Sequence, residues 1–179
     1  MPLVRLPNIE LTHYGVPKAG RFYASDKDRM FIQLPLEGDL LKSMRCYDSF
    51  LGSSDMKQKL FKTTGEAFTY TPLVKTGYKG PYMKLKLETD CETGDIETVV
   101  WMSAKREDGS IQRDIVPTTI DNLDHFASAV CINSTLVCIM KLVKIWVVNK
   151  QYGLTVKLKQ VNALHNLEAK EDSTDIDFL

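Results

Sequence analysis

The sequence predicts an α+β domain, rich in strand, with short helices at its periphery. Three observations predict it. Residues 82–88 alternate strictly, with Met83, Leu85 and Leu87 on one face and Tyr82, Lys84, Lys86 and Glu88 on the other. Residues 135–148 and 154–161 form two long apolar and β-branched runs joined by the polar, glycine-containing stretch 149–153. Helical spacing appears in only three segments, each short.

The elements follow in chain order. Residues 1–27 hold Pro2, Pro7, Pro17, Gly15 and Gly20 and read as an irregular arm. Residues 30–36 hold a short strand that stops at Pro35. Residues 39–51 place Leu40, Leu41, Met44, Tyr47 and Leu51 at helical spacing, with Asp39 as the cap. A second short helix covers 55–61. After the strand 82–88, residues 89–95 turn, and 96–102, β-branched and aromatic, are expected to pair back as a hairpin. Asp108-Gly109 marks a second hairpin turn, followed by the strand 111–116, which Pro117 ends. A helix from about 120 to 129 follows, with Thr119 as cap and Ile120, Leu123, Phe126, Ala127 and Val130 as its buried stripe. The strands 135–148 and 154–161 close the domain. Several short strands with one interposed helix fit a small barrel of the oligonucleotide-binding (OB) kind. Residues 1–167 therefore read as one domain, and 168–179 as a flexible acidic tail.

The 179 residues carry 23 bases and 23 acids, 44% hydrophobic and 26% charged, an ordinary soluble composition. The neutral total hides a split. Between His125 and Leu167 there is no acid but five lysines: Lys141, Lys144, Lys150, Lys157 and Lys159. Residues 168–179, EAKEDSTDIDFL, hold five acids and one base. Without them the chain has 22 bases and 18 acids, a net charge of +4. A basic body of this kind suits a polyanion, and the tail can occupy the same groove or dock partners. Asp175, Asp177, Phe178 and Leu179 are its docking tip.

Lysines neutralise phosphates, and flat rings stack on unpaired bases. The expected contact residues are therefore Lys141, Lys144, Trp146, Lys150, Tyr152, Lys157 and Lys159 on the last hairpin, with Tyr82, Lys84 and Lys86 as a second wall. Trp101, Lys105, Arg106 and Arg113 make a third, weaker cluster offset by Glu107, Asp108 and Asp114. The bland reading is that lysines alternating with aliphatics mark any half-exposed strand, with Trp146 in the core.

The four cysteines form no C-x-x-C pair and lie far from histidines at metal-ligand spacing, so neither metal nor cofactor is expected. Phosphate-loop, dinucleotide, nucleophile-elbow and H-E-x-x-H motifs are absent, so no enzyme is expected. The first residues lack a signal-peptide core, and the longest apolar run, 136–148, is cut by two lysines. A reducing intracellular location with no membrane span is expected. Self-association into a homo-oligomer is compatible with the same surfaces.

The stretch 144–161, KIWVVNKQYGLTVKLKQV, resembles a block in single-stranded DNA-binding proteins of large nucleocytoplasmic DNA viruses. Trp146, Asn149, Gln151-Tyr152-Gly153, Lys157 and Gln160-Val161 carry the likeness. The ending DSTDIDFL is similar to the acidic, Phe-containing tails of bacterial and phage single-stranded DNA-binding proteins. The resemblance implies an OB-fold, sequence-independent binding of single-stranded DNA during viral replication, recombination or repair, and a tail that recruits replication proteins. The alternative is a viral protein-interaction or structural module that binds no nucleic acid.

Overall fold

The computed structural model describes residues 1–62, 67–106 and 108–166. Among them, ten strands join into one sheet, and three helices lie outside it. Strands β1 (Leu3–Arg5) and β2 (Ile9–Glu10) come from the arm. They are followed by β3 (Phe31–Pro35), the helices α1 (Gly38–Leu51) and α2 (Ser54–Phe61), β4 (Thr69–Tyr70), β5 (Val74–Gly77) and β6 (Gly80–Leu87). Then come β7 (Val99–Lys105), β8 (Ile111–Arg113), α3 (Leu123–Ala129), β9 (Thr135–Val148) and β10 (Gln151–Asn166). The β-rich α+β class read from the sequence is the class of the molecule.

The main path of the sheet runs β1-β9-β10-β6-β3, and its end strands β1 and β3 do not pair. The sheet is therefore not a closed ladder. The arm spans the opening instead. Ile9 and Glu10 pair with β9, and Gly15, six residues past Ile9, exchanges two backbone hydrogen bonds of 2.9 Å with Gln33 of β3. Gly15 has a φ of +82°, which permits that approach. The arm expected to be irregular is thus pinned at both sides, because Leu6, Ile9 and Leu11 need burial and reach 0–4% exposure.

Strand β10 organises the rest. Along one side it pairs with β9 throughout. Along the other it meets three strands in turn, all parallel: β4 at Gln151–Tyr152, β6 at Lys157–Leu158, and β7 at 160–166. The inward faces of these strands and of α3 make one core, with Leu34, Met83, Leu85, Val100, Phe126, Leu136, Cys138 and Leu158 at 0% exposure.

Four details differ from the sequence reading. Residues 96–102 do not form a hairpin with β6. Only the Thr89–Ile96 bridge forms before the chain leaves to pair with β10, where Val100 reaches the core. The connection at 149–153 shrinks to Asn149-Lys150, both at positive φ (48° and 61°), the geometry of a tight two-residue hairpin turn. Tyr152 and Gly153 therefore lie inside β10. Asn122, not Thr119, caps α3 by accepting from the His125 N–H at 2.8 Å. Asp39 lies in the first turn of α1, where a carboxylate suits the helix dipole, and the cap position is Glu37.

The helix α1 is tied to the sheet by polar contacts. Asp48 accepts from the Tyr70 hydroxyl (2.8 Å) and from the Leu73 and Val74 N–H groups (2.8 and 3.0 Å). Tyr152 donates its hydroxyl to the Leu51 carbonyl at 2.6 Å. These bonds fix residues 70–74, and that segment walls the site described next.

Candidate nucleic-acid interface

Beyond its pairing with β4 and before its pairing with β6, β10 is bonded on the β9 side alone. Residues 153–156 have no strand neighbour on the other side among the described residues. Strands β6 and β10 touch at Lys86–Lys157 and then diverge. The wedge between them is a groove of about 410 Å³. Thr71, Pro72 and Leu73 form one wall, and Leu154, Thr155 and Val156 the floor. Lys75, Lys84, Lys86, Lys144 and Trp146 supply its charge and its ring. Lys84 and Lys86 also line an adjoining basin of about 720 Å³, with Lys27, Phe31 and Lys157. Asp28, Asp90 and Glu92 stand on that basin as well, so the cationic track ends there.

Two backbone features aim Lys144 and Trp146 into this groove. The even-numbered residues of β9, Leu136, Cys138 and Met140, point into the core. Simple alternation would send 144 and 146 inward too. The register shifts between Thr155 and Val156: Val156 faces Leu142, but Thr155 faces Lys144, leaving Val143 as the extra residue of a bulge. The bulge flips the parity and places Lys144 on the Lys157 face. Opposite Trp146 stands Gly153. A Cβ there would lie 2.7 Å from Trp146 Cζ2, so the indole lies across bare backbone and remains half-buried. Gly153→Ala is expected to push the ring off this seat at a cost of about 1–3 kcal/mol. Trp146 emission, read in a Trp101→Phe background by titration with denaturant, checks it.

The electrostatics of the face are lopsided. Lys86, Lys157 and Lys141 are register neighbours across β6, β10 and β9. Like charges directly opposite one another destabilise a sheet. Glu88 relieves part of this. Its Oε1 accepts from Lys141 at 2.6 Å, and its Oε2 forms an ion pair with Lys159 at 2.9 Å. The carboxylate is 9% exposed. The hydrogen bond from Lys141, then Lys159, holds it below the usual carboxylate range against the opposing effect of burial. Lys27, Lys75, Lys84, Lys86, Lys144 and Lys157 have no carboxylate within 4.0 Å among the described residues. Burial first, then Lys86 and Lys75, push the Lys84 ammonium below the usual lysine value. Its Nζ sits 3.5 Å from the centre of the Phe31 ring, which offsets part of that cost.

The Glu88 pair has a consequence for stability. A depressed folded pKa stabilises the fold above the unfolded value, about 4.3, and that contribution is lost as pH falls through the folded value. Thermal unfolding between pH 7 and pH 3, in round terms, is expected to show an acid limb that flattens in Glu88→Gln.

No family model matches the chain. An uncharacterized protein of Acanthamoeba polyphaga mimivirus is 32% identical over 84 residues, 41% of this chain and 21% of that protein. The chain thus matches about a fifth of the length of that curated relative. The crystal structure of gp2.5, a single-stranded DNA-binding protein encoded by bacteriophage T7, is similar at a TM-score of 0.45 and 12% identity, over 99% of both chains.

The structure brings together Lys84, Lys86, Lys144, Trp146 and Lys157 of the residues expected from sequence. Lys141 and Lys159 lie on the same sheet but are held by Glu88. Lys150 is exposed in the hairpin turn and lines neither part of the groove. Tyr82 shares the Lys84 face but packs on Tyr14, ring centres 4.8 Å apart, and lies outside the lining. Tyr152 needs correction as a base-stacking residue. It is 1% exposed, tucked among Phe61 and Tyr70 and bonded to Leu51, because the tight turn puts it in β10 with its ring inward. Asp175, Asp177, Phe178 and Leu179 lie outside the described residues. Sequence reasoning missed Lys27, Lys75, Glu88 and Gly153. Glu88 carried a signal, being the one acid ending the alternating run 82–88. Among the described residues no cluster of His, Cys, Asp or Glu could hold a metal, and no helix is long and apolar enough to cross a membrane.

Proposed function

We propose that this protein is a stoichiometric, sequence-independent binder of single-stranded DNA. One observation carries the reading: the wedge between β6 and β10 gathers lysines with no carboxylate within 4.0 Å among the described residues around a half-buried indole seated on a glycine. Unpaired ammonium groups gain most by meeting phosphates and releasing their counterions. The open face of Trp146 accepts a base whatever its identity, and duplex DNA hides such faces. Among the described residues the wedge itself is lined by no Arg, Asn, Gln, Asp or Glu that could read a base edge, so little sequence preference follows.

In this reading the chain works in viral DNA replication, recombination or repair, with residues 1–167 as the binding domain. The acidic segment 168–179 competes for the groove and, once displaced, docks a replication protein through Asp175, Asp177, Phe178 and Leu179. Support for that part is the charge split of the sequence alone. Deleting 168–179 is expected to tighten DNA binding; unchanged affinity removes the competition.

The test of the main reading is a fluorescence-anisotropy titration with oligo-dT of about thirty bases against a duplex of equal length. Submicromolar binding of the single strand and weaker binding of the duplex is expected. Binding of neither leaves a protein-interaction module. Binding of both alike would show that charge acts without the ring.

A further inference from the structure

A second cluster of reactive side chains lies at the far end of the β9–β10 ladder, away from the groove. Cys131 follows α3 and precedes β9, and His165 is the penultimate residue of β10. Their Sγ and Nδ1 atoms are 3.6 Å apart. The other ring nitrogen of His165, Nε2, lies 3.0 Å from the Ala129 carbonyl. A carbonyl only accepts, so in that contact Nε2 carries the proton. Neutral His165 therefore presents the bare lone pair of Nδ1 to the Cys131 thiol. Nucleophile, base and a third group that orients the base stand in the order that activates cysteines.

The imidazolium formed when Nδ1 takes the thiol proton donates to Ala129, the last residue of α3, at the carbonyl end of the helix. The Ser134 hydroxyl, 3.5 Å from Sγ, gives its own proton to the Cys131 carbonyl at 2.7 Å. Toward Sγ its oxygen can therefore only accept, and because a hydroxyl is far less basic than an imidazole, His165 is the neighbour that can take the thiol proton. Cys131 is exposed, so a reactant can reach it.

We propose that Cys131 is a site of thiol–disulfide exchange with small disulfides, with His165 as its base. The thiol proton moves to Nδ1, and the Sγ thiolate attacks one sulfur of the disulfide R–S–S–R. The new Cys131 Sγ–S bond forms as the S–S bond of the reactant breaks. The departing thiolate R–S⁻ takes the electron pair and is then protonated, by His165 or by water. No further oxidant is needed, since the disulfide is the species reduced.

The protein carries its own controls. Cys46 and Cys91 are exposed but lack a partner of this kind among the described residues. Cys138 is fully buried, and burial pushes its thiol up to about 12, so it reacts only on unfolding. The test uses the full chain, 2,2′-dithiodipyridine as probe, and mass spectrometry to follow each cysteine. Cys131 is expected to react at least about tenfold faster than Cys46 and Cys91. His165→Gln is expected to bring it down to their rate while theirs stay fixed and Cys138 stays protected. A Cys131 rate within about twofold of Cys46 in the unaltered protein overturns the proposal. So does an undiminished rate in His165→Gln with Cys138 protected. If that variant exposes Cys138, the ratio in the unaltered protein decides alone.

Discussion

Replacing Lys84 and Lys86 together by glutamate is expected to weaken binding of single-stranded DNA at least about a hundredfold at physiological salt, roughly 2.8 kcal/mol. These two lysines line both the wedge and the basin, so each phosphate path through the groove passes them. Reversal removes two cations and adds two anions where Lys75, Lys144 and Lys157 still face the strand. The cost to the fold is small by comparison. Both residues are exposed overall, while the Lys84 ammonium, folded over Phe31, is partly desolvated and crowded by Lys86 and Lys75. Loss of its contact with Phe31 costs about 0.5–1 kcal/mol, partly returned by relief of that crowding. Anisotropy titration beside thermal unfolding checks both halves. A protein that melts normally and still binds at full strength would remove the groove as the site.

The second large effect separates the two aromatic residues of the last hairpin. Tyr152→Ala is expected to destabilise the protein by about 3–5 kcal/mol, because it empties a fully packed ring position. It also strips the Leu51 carbonyl of its donor. Trp146→Ala is expected to act in the opposite sense. It costs about 1–3 kcal/mol of DNA affinity, the worth of one stacked base, with a smaller change in stability because the ring is half-buried. Denaturant unfolding and oligonucleotide titration on both variants give the pair of numbers. Equal loss of affinity in a still-folded Tyr152→Ala would contradict the burial of that ring.

This contrast also shows where the sequence was readable. Period-two alternation at 82–88 reported the face of Lys84 and Lys86 correctly, because Met83, Leu85 and Leu87 have nowhere to go but the core. The limits of β9 were legible for the same reason. Trp146 and Lys144 came out on the right face by a route no alternation rule supplies, since a bulge at Val143 inverts their parity. A one-residue bulge changes no composition and leaves no periodic trace. Tyr152 was misread because residues at positive φ, Asn149 and Lys150, closed the turn three residues earlier than the glycine at 153 suggested. Gly153 serves a different need, the indole seat.

Long-range pairings were the least visible. The parallel union of β7 with the end of β10 joins residues some sixty positions apart, and nothing local to 99–105 specifies a parallel partner. Likewise, Lys75 and Lys27 reach the groove only through the Asp48 contacts that hold residues 73–74 and through the 3-10 turn at 26–29. Glu88 is the clearest case. Charge counting treated Lys141 and Lys159 as free cations, whereas tertiary packing gives both to one buried carboxylate.

The salt dependence of oligo-dT binding tests the central claim most directly. Single strands lose about 0.7 in the slope of log K against log salt for each phosphate neutralised, so the five lysines Lys75, Lys84, Lys86, Lys144 and Lys157 imply a slope of about −3 to −4. The slope is expected to fall toward half that in Lys84→Glu/Lys86→Glu. A flat slope in the unaltered protein, or a steep one that this double substitution leaves untouched, would contradict a phosphate track between β6 and β10.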